Sequence, residues 1–326
     1  MHVVVTKFKS SAAIVLTALV WLAAMPGAQA AVTIRVAKAV PEQFTFTVPD
    51  IGQKEGIFAK YGVNLNIVSF TGDAKMQEGL ASDSVEIGLG GGPAMAFVAK
   101  GAPVMTVAAF AGAPRDIAVA VKGNSPIKTV AQLRGKKVAV STVGSLTYWL
   151  AHQISIHEGW GNDGIDVVAT GAGPAMISPL ITGEIDAGVT TTGAALVLEE
   201  KHEGRILATM DEFEPRLITH VIFARREFIK QHPQEVEDFL KGFFATVAYM
   251  RTHKAETVAI ASAVLHQSPK VIAKEYDTLM PEFLTNGEFD PVALKTIKAS
   301  FVGMKMLPKE PSDSQILTRR FVPVKF

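Results

Sequence analysis

The chain has 326 residues, with 32 Lys and Arg against 31 Asp and Glu, and no cysteine. Near-neutral charge without a long basic run removes the electrostatic reason to expect nucleic acid as a partner. The missing thiols exclude disulfides, thiolate catalysis, cysteine-ligated metals and a lipid anchor on cysteine.

The first thirty residues read as a secretory signal peptide. Lys7 and Lys9 precede an apolar run from Ala12 to Ala24, and the small-residue triplet Ala28-Gln29-Ala30 marks a cleavage site after Ala30. At 1.5 Å per residue that run is too short for a hydrocarbon core roughly 30 Å thick. Cleavage would leave a chain with one more acid than base and no further apolar stretch of spanning length, so an exported, soluble protein is expected.

From Ala31 onward, short β-branched runs alternate with helical patterns. "VTIRVAKA" predicts a strand, Gln43 to Lys60 a helix ending near Gly56, Val63 to Phe70 a strand, "DAKMQEGLAS" a helix and "VEIGLG" a third strand. A second pass follows "KTVAQLRG". Here "KKVAVS" predicts a strand, Ser145 to His157 a helix, "IDVVAT" a strand, "GPAMISPLITG" a helix and "IDAGVT" a strand. Glu55-Gly56 aligns with Glu158-Gly159, Met76 with Met176, Leu80 with Leu180 and Gly88 with Gly188, an offset of about 100 to 103 residues. Beyond these passes, "RLITHVIFARREFI" predicts another strand, and "HPQEVEDFLKGFFATVAYM" a helix with Pro233 in its first turn.

Strand–helix–strand order implies right-handed crossovers and a mainly parallel sheet in each pass. The fold class is therefore α/β, with two lobes. Residues 31–115 plus 220–326 form one lobe and 116–219 the other, joined by crossings near Arg115-Asp116 and Thr219-His220. Ligands of such sheets sit beyond the carboxyl ends of the strands. The loops expected to face a shared cleft hold Gln43, Thr71, Gly91 and Gly92 on one side. Ser141, Thr142, Gly144, Ser145, Gly171, Thr190 and Thr191 lie on the other, and Arg115 is placed at the hinge.

Each of these residues has a plainer role as well. "GLGGGP" lacks the third glycine of a dinucleotide fingerprint and the lysine of a P-loop, so it is a tight turn that would bring bare backbone to a ligand. "STVGSLTYW" ends a strand and starts a helix; Ser145 caps that helix, and the free N–H groups there favour an anion or a strong acceptor. Arg115 and Asp116 would pair with each other or clamp a charged ligand. His152, His157, His220, His232 and His253 show no metal-ligand spacing, and no nucleophile elbow surrounds Ser145. No metal, cofactor or catalytic residue is expected. Trp149 and Trp160 read as core, while Phe44, Phe46 and Tyr148 are open candidates for a cleft wall.

Five segments together carry a family resemblance: "EGIFAKYGVNLNIVSFTG", "LASDSVEIGLGGGPAMAFVAKGAPV", "IKTVAQLRGKKVAVSTVGS", "LITGEIDAGVT" and "HPQEVEDFLKGFFATVAYM". The chain resembles the periplasmic substrate-binding proteins of the nitrate/sulfonate/taurine import family, including relatives that bind thiamine pyrimidine precursors. The resemblance implies a type II periplasmic binding protein fold: a monomer, free in the periplasm, that closes on a small, anionic organic solute. It would hand the solute to an ABC permease driven by a cytoplasmic ATPase. By position Gly91, Gly92, Ser141, Ser145 and Thr191 match cleft-lining loops of that family. Two departures stand out. No arginine or lysine lies within "STVGS" or "TTTGA", and the cysteine-rich motif of the fungal pyrimidine synthases is missing. An aromatic carboxylate or a pyrimidine precursor therefore stays open as the solute, and an exported enzyme or a solute sensor as the class.

Overall fold

The computed structural model describes residues 1–4, 31–41, 43–143 and 145–326. The signal-peptide run and its cleavage site, and Gly144, lie outside the described residues. Val32–Phe326 forms one compact unit, and no described helix is long and apolar enough to cross a membrane.

Among the described residues ten strands make two sheets of five. The first holds β1 (Val32–Lys38), β2 (Val63–Ser69), β3 (Ile87–Gly91), β4 (Val104–Ala111) and β10 (His220–Arg225), in the order β2-β1-β3-β10-β4. The second holds β5 (Ile117–Lys122), β6 (Lys137–Val140), β7 (Asp166–Ala169), β8 (Ala187–Thr191) and β9 (Gly204–Thr209), in the order β7-β6-β8-β5-β9. In the first sheet β10 alone runs against the others, and in the second β5 alone does.

The two exceptions share a cause. β5 and β10 are the strands entered directly from the other sheet, after β4 and β9 have ended at the inner face. A strand that starts at that face must run away from it, opposite to its neighbours. The sheets are otherwise the mainly parallel α/β layers that the sequence predicts.

The helices follow the strands: α1 (Val48–Lys54), α2 (Asp73–Ala81), α3 (Met95–Ala99), α4 (Leu146–His157), α5 (Pro174–Thr182) and α6 (Thr192–Glu200). The C-terminal part adds α7 (Arg226–Gln231), α8 (Pro233–Thr252), α9 (Lys254–Leu265), α10 (Pro269–Leu279), α11 (Pro291–Gly303) and α12 (Asp313–Ile316). The single helix read over Gln43 to Lys60 is instead a 3₁₀ turn over Phe44–Thr47, then α1, then a second 3₁₀ turn over Phe58–Tyr61. Gly56 at φ 66° lies between α1 and the second turn, and Gly62 at φ 71° follows it. Left-handed backbone of this kind ends a helix.

The repeat is structural. Val36 pairs with Ile87 and Ala37 with Gly88, as Val138 pairs with Ala187 and Ala139 with Gly188. In both sheets a methionine from the preceding helix fills the space above the glycine. A Cβ on Gly88 would stand 2.9 Å from the Met76 sulfur, and one on Gly188 would stand 3.0 Å from the Met176 sulfur.

Candidate functional site

A cavity of about 1130 Å³ is lined by residues from both sheets and their loops. Its first wall carries Gln43 and Thr71, which follow β1 and β2, and Gly91, the last residue of β3. Its second wall carries Ser141, Thr142 and Ser145 after β6, and Thr190 and Thr191 at the end of β8. The placement follows from topology, since every parallel strand ends at this face and every following helix starts here.

Helix starts therefore cluster at the cavity, beside the side chains of Asp73, Lys201, Glu203 and His220 in its lining. Asp73 opens α2, Leu146 α4, Pro174 α5 and Thr192 α6, and each of these N-terminal turns carries or adjoins cavity-lining residues. Each helix brings unpaired N–H groups and a partial positive charge to its start. At α4 this is joined by a triangle of hydroxyls. Ser141 Oγ donates to Ser145 Oγ at 3.0 Å, Ser141 Oγ and Thr147 Oγ1 are 2.9 Å apart, and Ser145 Oγ and Thr147 Oγ1 are 3.0 Å apart. Ser145 also caps the helix by accepting from the Tyr148 N–H at 3.2 Å. Thr191 caps α6 in the same way, accepting from Ala194 N–H at 3.2 Å.

Between these polar ends the wall is apolar, built from Phe46, Phe97, Leu146, Met176, Ile177 and Met306. Phe46 is the one open candidate that reaches the cavity; Phe44 is buried against Tyr276 and Phe283, and Tyr148 lies on another surface. Trp149 is buried, in agreement with a core role.

Three expected site residues stand elsewhere. The Gly92 N–H donates to Thr219 O at 2.7 Å, and a Cβ there would meet Ile218 O at 2.0 Å, so this glycine admits the returning backbone rather than a ligand. Gly171, at φ 98°, donates to Ser141 O at 2.9 Å and shapes its turn, while Ala172 and Gly173 line the cavity. Arg115 does not pair with Asp116. It forms an ion pair with Asp211 at 3.0 Å, linking the two crossing segments.

The acids and the histidine at the first wall are what the sequence concealed. Asp73 is half-buried and accepts from the Gly91 N–H at 2.9 Å. Desolvation pushes its carboxyl up to about 6, against the pull of the Gly91 N–H and of His220. His220, the first residue of β10, is 4% exposed and stacks on Phe110 with ring centroids 5.5 Å apart. Its Nε2 bonds Asp116 Oδ2, which also accepts from the Gln43 amide and the Thr45 hydroxyl. The Asp116 N–H in turn donates to Glu282 Oε2 at 3.0 Å. Burial, then the Asp116 charge, pushes Glu275 up to about 8, and the same causes hold Glu282 well above the ordinary carboxylate range. The register β4–β10–β3 and the turn after α10 bring together residues that are remote in the chain. A sign at the sequence level was the placement of both Asp116 and His220 at the crossings.

Comparison with known proteins bears on this geometry. A Bacillus subtilis protein assigned as aliphatic sulfonates-binding is 26% identical over 225 residues, covering 68% of this chain and 66% of that protein. A 4-amino-5-hydroxymethyl-2-methylpyrimidine phosphate synthase of Saccharomyces cerevisiae is 24% identical over 61% of this chain and 62% of its own length. The chain thus matches just under two thirds of the length of these relatives. The crystal structure of the periplasmic aliphatic sulphonate binding protein SsuA from Escherichia coli superposes with a TM-score of 0.74 at 20% identity, covering 88% of this chain and 92% of that one. At that identity the likeness establishes the fold, that of a periplasmic binding protein. The NMT1/THI5-like family model matches residues 43–257, most of both sheets and the whole of the second cavity wall, and the chain belongs to that family.

Proposed function

We propose that the protein is the solute-binding component of an ABC importer. It works in the periplasm after removal of residues 1–30, as a monomer that captures a small organic anion and delivers it to a membrane permease. The observation that carries this reading is the hydroxyl triangle of Ser141, Ser145 and Thr147 at the start of α4, facing an apolar cavity. An anionic head group accepts hydrogen bonds from hydroxyls and helix N–H groups, while its carbon body fills the space between Phe46, Phe97 and Met176. Sulfonates fit this pattern, as the binding named for the sulfonate-binding relatives suggests. Aromatic carboxylates fit it too.

Residues 31–115 with 220–326, and residues 116–219, act as two lobes hinged at the crossings near Arg115-Asp116 and Thr219-His220. The solute favours the closed form by its differential affinity for it. Closing excludes water and strengthens the few polar contacts, and no covalent step is required. The reading makes the protein a carrier, unlike the synthase relatives.

A thermal-shift panel of alkyl sulfonates, taurine, nitrate, aromatic carboxylates and thiamine pyrimidines tests it. A solute at a thousand times its Kd adds about 4 kcal/mol, or roughly 6 °C for a chain of this size. One solute class should give that shift and be recovered unchanged. Ser145→Asp keeps a good helix cap but places a carboxylate where the anion sits, so it should abolish the shift while leaving the unliganded melting temperature within a few degrees. Conversion of the solute would make the protein an enzyme. Unchanged affinity in Ser145→Asp would remove the α4 turn from the site.

A further inference from the structure

Asp116 precedes β5, His220 opens β10 and Glu282 lies in the turn after α10, so three distant segments meet at the two crossings. Their side chains are 1%, 4% and 2% exposed. One ligand atom from each lies within 4.8 Å of the other two. Asp116 Oδ1, Glu282 Oε1 and His220 Nδ1 have no hydrogen-bond partner, and neither has Oε2 of Glu275, the acid packed near them.

The charge balance of this cluster is unusual. Among the described residues no lysine or arginine pairs with Asp116, Glu275 or Glu282; the nearby Arg115 is taken by Asp211. Removing a carboxylate from water costs several kcal/mol unless a counter-charge meets it. Three carboxylates with open oxygens, beside one imidazole, need either shared protons or a cation. The donor set of two carboxylate oxygens and one imidazole nitrogen suits first-row divalent ions of intermediate hardness.

We propose that Asp116, His220 and Glu282 form a divalent-cation site, of the Mn²⁺ or Zn²⁺ kind, at the junction of the two crossing segments. Gln43 and Thr45, bonded to the second oxygen of Asp116, hold that ligand in orientation, as outer-shell groups of metal sites do. Gln43 and His220 also line the cavity, which gives an ion its path in and leaves a coordination position for water. An ion here ties both crossings to the α10 turn, so the site stabilises the junction on which the sheets are joined, whatever the solute.

The test starts from protein stripped with a chelator and titrated with Mn²⁺, free ion being read by electron paramagnetic resonance, with Zn²⁺ as competitor. One ion per chain, bound at micromolar or tighter concentration, is expected. Asp116→Asn and Glu282→Gln should each weaken it at least tenfold. A second readout is thermal: Mn²⁺ at 1 mM should raise the melting temperature of the unaltered chain by several degrees and leave Glu282→Gln unmoved. If both variants fail to fold, the stoichiometric titration of the unaltered chain decides alone. A folded, stripped chain that takes up no Mn²⁺ or Zn²⁺ overturns the proposal and leaves protons as the counter-charge. Equal binding by Glu282→Gln and the parent overturns it as well.

Discussion

Asp73 sits where two demands conflict. Its carboxylate receives the Gly91 N–H and opens α2, both of which favour the charged form. The surrounding cavity wall is largely apolar, and desolvation outweighs those contacts, so the group changes charge near pH 6. A solute anion in the same cavity prefers the neutral acid. Below about pH 6 Asp73 is uncharged and binding is favoured; above it the carboxylate repels the anion and binding weakens. Between pH 5 and pH 7.5 the affinity for an anionic solute should fall about three- to tenfold, or ~1 kcal/mol. Calorimetric titration at the two pH values checks this. His220 lines the same cavity, so Asp73→Asn is the needed control: it should flatten the profile if Asp73 is responsible. A flat profile in the unaltered chain would put the anion out of reach of Asp73.

The strand–helix joints show how far element structure is written locally. Gly88 and Gly188 occupy the same register in the two sheets, each beneath a methionine of the helix before its strand. Alanine at Gly88 would meet Met76 Sδ and Leu80 Cδ1 at 2.9 Å. Overpacking of that kind costs about 1–3 kcal/mol, more than the 0.4–1 kcal/mol that alanine gains by restricting the unfolded chain. Gly88→Ala should therefore lose about 1–2 kcal/mol in urea unfolding. Met76→Ala in that background should cost less than it does alone, because the two changes share one space. Additive losses would separate the two positions.

This joint was legible because it repeats at a fixed offset with the same residue types. β4, β5 and β9 were not read. β4 is buried along its whole length and β5 nearly so, and neither shows the alternation that marks a half-buried strand. β9 opens on Gly204 and Arg205 and has no β-branched run, only Ile206 and Thr209. The hydroxyls of the second wall were readable from a strand–turn–helix pattern. Asp116, His220 and Glu282 were not, because no spacing along the chain encodes a meeting of three segments over 100 residues apart at its widest.

At the scale of the whole molecule, a seam of helices joins the two sheets beside the cavity, whose lining includes Val197 and Leu198 of α6 and Gln267 just before α10. α6 meets α10 there: a Cβ on Gly193 would stand 2.4 Å from Glu275 Oε1, Ser268 donates to Glu200 at 2.8 Å, and Lys274 reaches Glu199 at 3.7 Å. Trp149 of α4 packs near Gly303 of α11. The largest core cluster runs through both sheets, holding Ala37, Val221 and Phe223 of the first with Val119, Val138 and Val189 of the second. A shared core couples the unfolding of its two sides. Calorimetry should therefore record one transition, with calorimetric and van't Hoff enthalpies equal within error. A bound solute should raise that whole transition rather than split it. Two resolved transitions would mean that each sheet is stable alone and that the seam contributes little. In that case closure would depend on the two crossing segments only, and the Arg115–Asp211 pair and the Asp116–His220 bond would be the contacts that set its geometry.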